Sequence, residues 1–162
     1  MNAPAGNVGA DLTDLGDEIL QQARSLAQAS GRSLVTELEV LTRSEPRLVV
    51  DQLARRFFFT DTATTEMLAC APAFDLLPLA RAQTRGCVLL RSPQALAGSR
   101  IIGVTADPFD TDCMVWLSSL AGAPVHFCLA LAADIQAYLS KHEESVHAVH
   151  SLLDDNGMLV DT

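Results

Sequence analysis

Apolar residues keep a helical period through the first third of this chain and lose it after Phe57-Phe58-Phe59. That switch constrains the fold more than any other feature. Leu15, Ile19, Ala23, Leu26 and Ala27 recur at helical spacing until Gly31 ends the segment, and Leu34, Leu38 and Leu41 line a short second helix. Ser44 is the expected cap of a third helix, with Pro46 in its first turn and Val49 and Leu53 on one face. Arg55 and Arg56 close that helix at the negative end of its dipole. Beyond the phenylalanines, β-rich runs (Cys87 to Arg91, Arg100 to Ala106, Val125 to Leu129) alternate with helical stretches at Thr64 to Cys70, Asp112 to Ala121 and Leu131 to Ser140. Helices first, then strands alternating with helices, predict an α+β fold, with an N-terminal helical subdomain packed on a small mixed β-sheet with helices. The expected partition is a disordered N-terminus (1–11), a helical subdomain (12–56), an α+β subdomain (57–141), and a terminal helix with an acidic exit or linker (142–162).

Three local readings follow. Leu76-Leu77-Pro78-Leu79 reads as the entry to an edge strand, because proline cannot donate inside a ladder. Phe57-Phe58-Phe59 reads as core joining the two subdomains, unless one ring is exposed. From Cys113 to Ala133 no residue carries a formal charge, yet Gly122-Ala123-Pro124 cuts the stretch and Ser118, Ser119 and His126 add polar cost. Two buried elements around a turn fit that better than a membrane span.

Composition narrows the function. At 162 residues, 49% hydrophobic and 19% charged, the chain can bury a core without a disulfide or metal staple. A net charge of -9 and a pI near 4.7 disfavour nucleic acid and anionic lipid as partners. The arginines and the single lysine, Lys141, form no basic run, and 5% aromatics are too few for a base-stacking platform. Cys70, Cys87, Cys113 and Cys128 are spaced singly, and Met1 to Asp17 lacks a signal-peptide pattern. Reduced, buried thiols and a cytoplasmic location are therefore expected.

The motifs that would make this chain an enzyme are missing. Lys141 is followed by His142 and preceded by no glycine at P-loop spacing, and neither G-x-G-x-x-G nor G-x-S-x-G occurs. His147 and His150 share a helical face near Glu143 and Glu144, but no further ligand has metal-site spacing, so a solvated helix end is the preferred reading and no metal is expected. His126 reads as a hydrogen-bonded core or rim residue. Asp107, Asp110 and Asp112 crowd one loop and could hold Mg²⁺ or act as acid and base. Turn and capping chemistry is the stronger account, with Asp110 or Thr111 as the cap. No catalytic residue is assigned.

Several segments together resemble a known domain. Leu76-Leu77-Pro78-Leu79, the strand ending Gly103-Val104-Thr105-Ala106-Asp107-Pro108-Phe109-Asp110, the helix after it, Gly122-Ala123-Pro124-Val125 and Ala133-Asp134-Ile135 follow one another as in the N-terminal domain of the type II secretion and type IV pilus assembly ATPases, the GspE/PilB group. The likeness spans roughly residues 12–141. It implies a domain that precedes the ATPase core and docks it to the cytoplasmic part of an inner-membrane platform protein; similar domains are attached to glycosyltransferases. In a subset of the family it also implies cyclic diguanylate binding through an R-L-G…G-L-L pattern. Arg32 stands where that arginine would, but no glycine lies between Gly31 and Gly86, and Leu41-Thr42-Arg43-Ser44 lacks the expected Gly-Leu. Arg81 to Ser99 is longer than the family's usual turn and reads as an added strand or contact surface.

The expected function is thus non-catalytic docking and regulation for a secretion, pilus-assembly or polysaccharide-export machine. The chain would act in the cytoplasm or recruited to the inner membrane, without inserting into it. Arg43, Arg47, Arg55 and Arg56 are candidate rim residues for an acidic partner. The alternative is a cyclic diguanylate sensor, which requires a cleft collecting Arg32 and Arg43.

Overall fold

Gly31 ends the first helix as its period predicts. It takes a left-handed conformation (φ 77°) that any side chain would strain, and its N–H donates to the Ala27 carbonyl at 2.9 Å. The computed structural model describes residues 15–96 and 98–161, with side chains as far as Leu153; the expected disordered start, 1–11, lies outside the described residues. Helix α1 (Asp17–Ser30) is followed by α2 (Leu34–Thr42), whose cap is Ser33, accepting from the Thr36 N–H. Helix α3 (Pro46–Phe57) places Pro46 at its first position, but its cap residue is Glu45, not Ser44. The Ser44 hydroxyl instead donates back to the Thr42 carbonyl, one residue too early to serve α3.

The rest builds a five-stranded mixed sheet in the order β1-β5-β4-β3-β2, from β1 (Thr60–Asp61), β2 (Ala71–Pro72), β3 (Val88–Leu96), β4 (Ser99–Thr105) and β5 (Val125–Leu129). Strand β5 is parallel to β4 and β1, whereas β3 is antiparallel to β4 and β2. The parallel β4–β5 pair requires a crossover, which α6 (Thr111–Ala121) supplies. Gly103 on β4 sits opposite Phe127, and a Cβ there would lie 2.9 Å from the Phe127 ring, so the glycine is what lets that ring lie across the strand. Helices α4 (Thr64–Leu68), α5 (Leu79–Arg85) and α7 (Ala132–Asp161) complete the seven among the described residues. The α+β class read from the sequence is the observed one.

Two apolar clusters hold these elements. One joins α1, α2 and α3 and borrows Leu129 from β5. The other fills the sheet, α6 and the start of α7, with Leu89, Leu90, Leu117, Ile135, Tyr138 and Leu139 fully buried. Cys87, Cys113 and Cys128 are buried among them, and burial pushes the Cys128 thiol up to about 12. No helix among the described residues is long and apolar enough to cross a membrane: the uncharged stretch divides at Gly122 into α6 and β5.

Three local expectations are corrected. Leu76–Leu79 does not enter a strand; Pro78 precedes α5, where its missing N–H costs nothing, and Leu77 fills the core. The helix expected to stop at Ser140 continues to Asp161, so the terminal segment is the same helix as the core-packed one. The phenylalanine run is not uniformly core: Phe57 and Phe59 pack inward, while Phe58 is 95% exposed.

Candidate functional site

The corner between α1 and α2 is built around one buried carboxylate. Glu37 accepts from both Nε and Nη2 of Arg32 at 2.8 Å and from the Ser30 hydroxyl at 2.7 Å. The Ser30 hydroxyl and the Arg32 guanidinium hold the Glu37 carboxyl below the usual glutamate range, against the opposing effect of burial. Opposite this corner, the β4–α6 loop brings Phe109 under Arg24, whose guanidinium lies 4.2 Å from the ring centroid; Phe57 meets the same ring edge-on at 4.8 Å. Between them lies a cleft of about 420 Å³ lined by Arg24, Gln28, Arg32, Asp107, Phe109 and Asp110.

The acidic loop is largely self-satisfied. Asp107 accepts from the Phe109 N–H at 2.9 Å, and Asp110 caps α6 by accepting from the Cys113 N–H at 3.0 Å. Asp112 is exposed in the first turn of α6 and does not line the cleft. Asp107 thus makes the turn and Asp110 the cap, the local roles that turn and capping chemistry predict for this loop. Among the described residues no three His, Cys, Asp or Glu side chains are grouped to hold a metal ion.

The candidate arginines do not converge. Arg32 lines the cleft, but Arg43 sits exposed at the left-handed end of α2 and does not. Arg47 bridges to Asp134 at 3.1 Å, where the Thr64 hydroxyl also donates, tying α3 to α4 and α7. Arg55 pairs with Asp51 one turn back, and Arg56 with Asp17 on α1. His126 takes part in a hydrogen bond with the Thr60 hydroxyl at 2.8 Å across the β1–β5 pair, the rim role expected for it.

The same end of α3 carries the least expected feature. Phe58 follows the helix with φ 63°, a left-handed conformation disfavoured for a bulky residue, and its N–H donates to the Ala54 carbonyl. The turn sends Phe57 and Phe59 toward the core and leaves the Phe58 ring in solvent, while the Arg56 guanidinium lies over Phe57 instead, 5.4 Å from its ring centroid. Sequence reasoning missed Arg24, Phe109 and the orientation of Phe58. No periodicity marks the first two, and the only hint of the third was that three consecutive rings cannot share one face of a helix end.

Against known families, the MshEN domain matches residues 64–149. The chain belongs to the MshEN domain family. The MshEN match opens at α4, contains the Asp107-Pro108 loop and closes within α7. Solved structures extend the likeness forward into the helices. A structure of MshE with cyclic diguanylate superposes with a TM-score of 0.57 at 17% identity, covering 86% of this chain and 99% of that one. The N-terminal domain of XpsE gives a TM-score of 0.50 at 18% identity, covering 86% and 97%. No curated protein matches. The MshEN assignment and both structures bear out the resemblance to GspE/PilB-type N-terminal domains. At these identities the two structures speak to the fold alone.

Proposed function

We propose that this MshEN domain is a non-catalytic docking and regulatory module of a bacterial secretion, pilus-assembly or polysaccharide-export machine, and that it binds a protein partner at the cytoplasmic face of the inner membrane. The observation that carries the reading is Phe58, a 95% exposed aromatic ring held outward by a disfavoured backbone conformation. An exposed aromatic ring is a common anchor at protein interfaces. Arg55 and Arg56, paired with Asp51 and Asp17, precede it on α3, and Arg43 and Arg47 lie at the other end of that helix; the four are the candidate rim contacts by position. The complementary partner presents an apolar pocket with acidic edges.

The test is co-purification of this chain with the cytoplasmic part of a platform protein, comparing wild type with Phe58→Ser and with Arg55→Glu/Arg56→Glu. The reading expects capture to be lost with Phe58→Ser and reduced by the charge reversals. Undiminished capture by both variants would move docking elsewhere, and no capture by wild type would remove the reading.

A second reading, a cyclic diguanylate sensor, is favoured by the cleft that sets Arg24 and Arg32 beside the Phe109 ring. Arg32 is already neutralised by Glu37, and Asp107 and Asp110 line the same cleft, so Arg24 is the guanidinium left to meet a phosphate. Calorimetric titration with cyclic diguanylate should then give saturable heat that Arg24→Ala abolishes; no heat at high ligand concentration eliminates this reading.

A further inference from the structure

The second half of α7 presents an apolar face of its own. Ile135, Tyr138 and Leu139 on its first turns are fully buried, and the same stripe continues outward through His142, Val146, Val149 and Leu153 at alternating spacings of four and three. Val146, Val149, Leu152 and Leu153 are each more than half exposed. Across from this stripe, Pro72 and Phe74 rise from the end of β2, leaving a groove of about 440 Å³. Its floor is organised: the His142 ring packs edge-on to Phe74 at 5.8 Å and against Tyr138 at 4.5 Å, and the His142 Nε2 is buried without a hydrogen-bond partner.

The chain carries a net charge of -9, and the carboxylate of Glu143 stands at the flank of this face. Glu143 is fixed there by a hydrogen bond from Gln83 on α5, whereas Glu144, one position on, is exposed on the opposite face of the helix. A second copy of this chain would bring a second net charge of -9 to the same face, whereas a cationic partner would be attracted.

We infer that this groove is a second docking surface, distinct from the Phe58 corner, and that it takes an amphipathic helix of a partner protein whose apolar anchors fit between Phe74 and α7 and whose flanks carry Lys or Arg. An elongated apolar groove beside a helix matches the helix-in-groove mode, read by anchors at i, i+3 or i+4, and i+7. The apolar stripe supplies affinity, and Glu143 together with the chain's net negative charge selects among helices by charge.

A labelled helical peptide of about five turns, with leucines at i, i+3 or i+4, and i+7 and lysines on both flanks, serves as the probe for fluorescence anisotropy on the full chain. Saturable binding is expected, weaker as salt rises, and a counterpart with glutamates in place of the lysines should bind about tenfold more weakly or worse. Val149→Asp adds a negative charge, so pure charge attraction would tighten the lysine peptide, whereas docking in the groove predicts weakening of about tenfold or more. Val115→Asp, at an exposed position on α6, places the same charge away from the groove and should leave affinity unchanged or slightly higher. No binding of the lysine peptide, or equal binding by wild type and Val149→Asp, overturns the proposal. So does a chain dimer that Val149→Asp dissociates in sedimentation, because the occupant would then be a second copy. Partner capture through Phe58 is read separately, so either result there leaves this test standing.

Discussion

The Phe58 corner and the outer half of α7 both expose apolar side chains, but they arrive at that exposure by opposite routes. At the corner a single ring is held in solvent by a left-handed backbone conformation, a local cost of roughly 1–3 kcal/mol for a bulky residue. On α7 nothing is strained: an ordinary helix outruns the domain body, and its inner stripe stays exposed once the core ends. The neighbouring charged groups differ as well: Arg55 and Arg56, each paired with an aspartate, precede the corner, and Glu143 flanks the stripe on α7. Two separate apolar surfaces with different neighbours can engage two partners without competing.

The largest effect that separates the two regions should come from the core beneath the corner. Leu53 is fully buried on α3, and Leu53→Ala should lower unfolding free energy by about 2–5 kcal/mol. Urea unfolding measures the loss. The groove belongs to the other apolar cluster, so the native fraction of this variant should still bind the lysine peptide with wild-type affinity. A matching loss of peptide affinity would show that the two regions are one unit.

A smaller effect has the opposite sign. Phe58→Gly removes the cost of the left-handed conformation and should stabilise the fold by roughly 1 kcal/mol while abolishing partner capture. Destabilisation by the glycine would show that the Phe58 ring makes folding contacts and would undo its reading as an anchor.

Acid should weaken the helical region in a graded way. The Glu37 carboxyl is held below its ordinary value, first by the Ser30 hydroxyl and then by Arg32, so its contribution is fully present above the unfolded glutamate value of about 4.3. It is lost as pH falls through the lower folded value. Urea midpoints measured from neutral to acid pH should therefore drop more for wild type than for Glu37→Gln, and parallel curves would remove this carboxylate from the acid response.

The smallest stability effect belongs to α7. Val149→Asp, at a position 57% exposed, should change unfolding free energy by no more than about 0.5 kcal/mol, although it is expected to abolish most peptide binding. A large loss of stability would mean that Val149 packs within the domain and that α7 has no spare face.

Much of this architecture was legible in residue order. The 3.6-residue period placed α1, α2 and α3, the β-rich runs placed β3, β4 and β5, and Gly122 divided the uncharged stretch, because each signal is set by neighbours within one or two turns. The Asp110 cap was readable for the same reason. The errors fell where local rules allow two outcomes. Pro78 is as acceptable before a helix as on an edge strand, and the stripe from His142 to Leu153 was passed over because its acids suggested a solvated tail.

By itself, then, the amino-acid sequence determined the class, most elements, the acidic character and the family, all of which rest on local periodicity, composition and spacing. The tertiary structure alone decided that Arg24 would lie over Phe109, that Arg32 would be spent on Glu37 and that Phe58 would face water while its neighbours turned in. It also decided that Phe74 would wall a groove along α7. Those outcomes depend on which distant elements pack together, and long-range packing is a competition among whole surfaces that no short window of sequence contains.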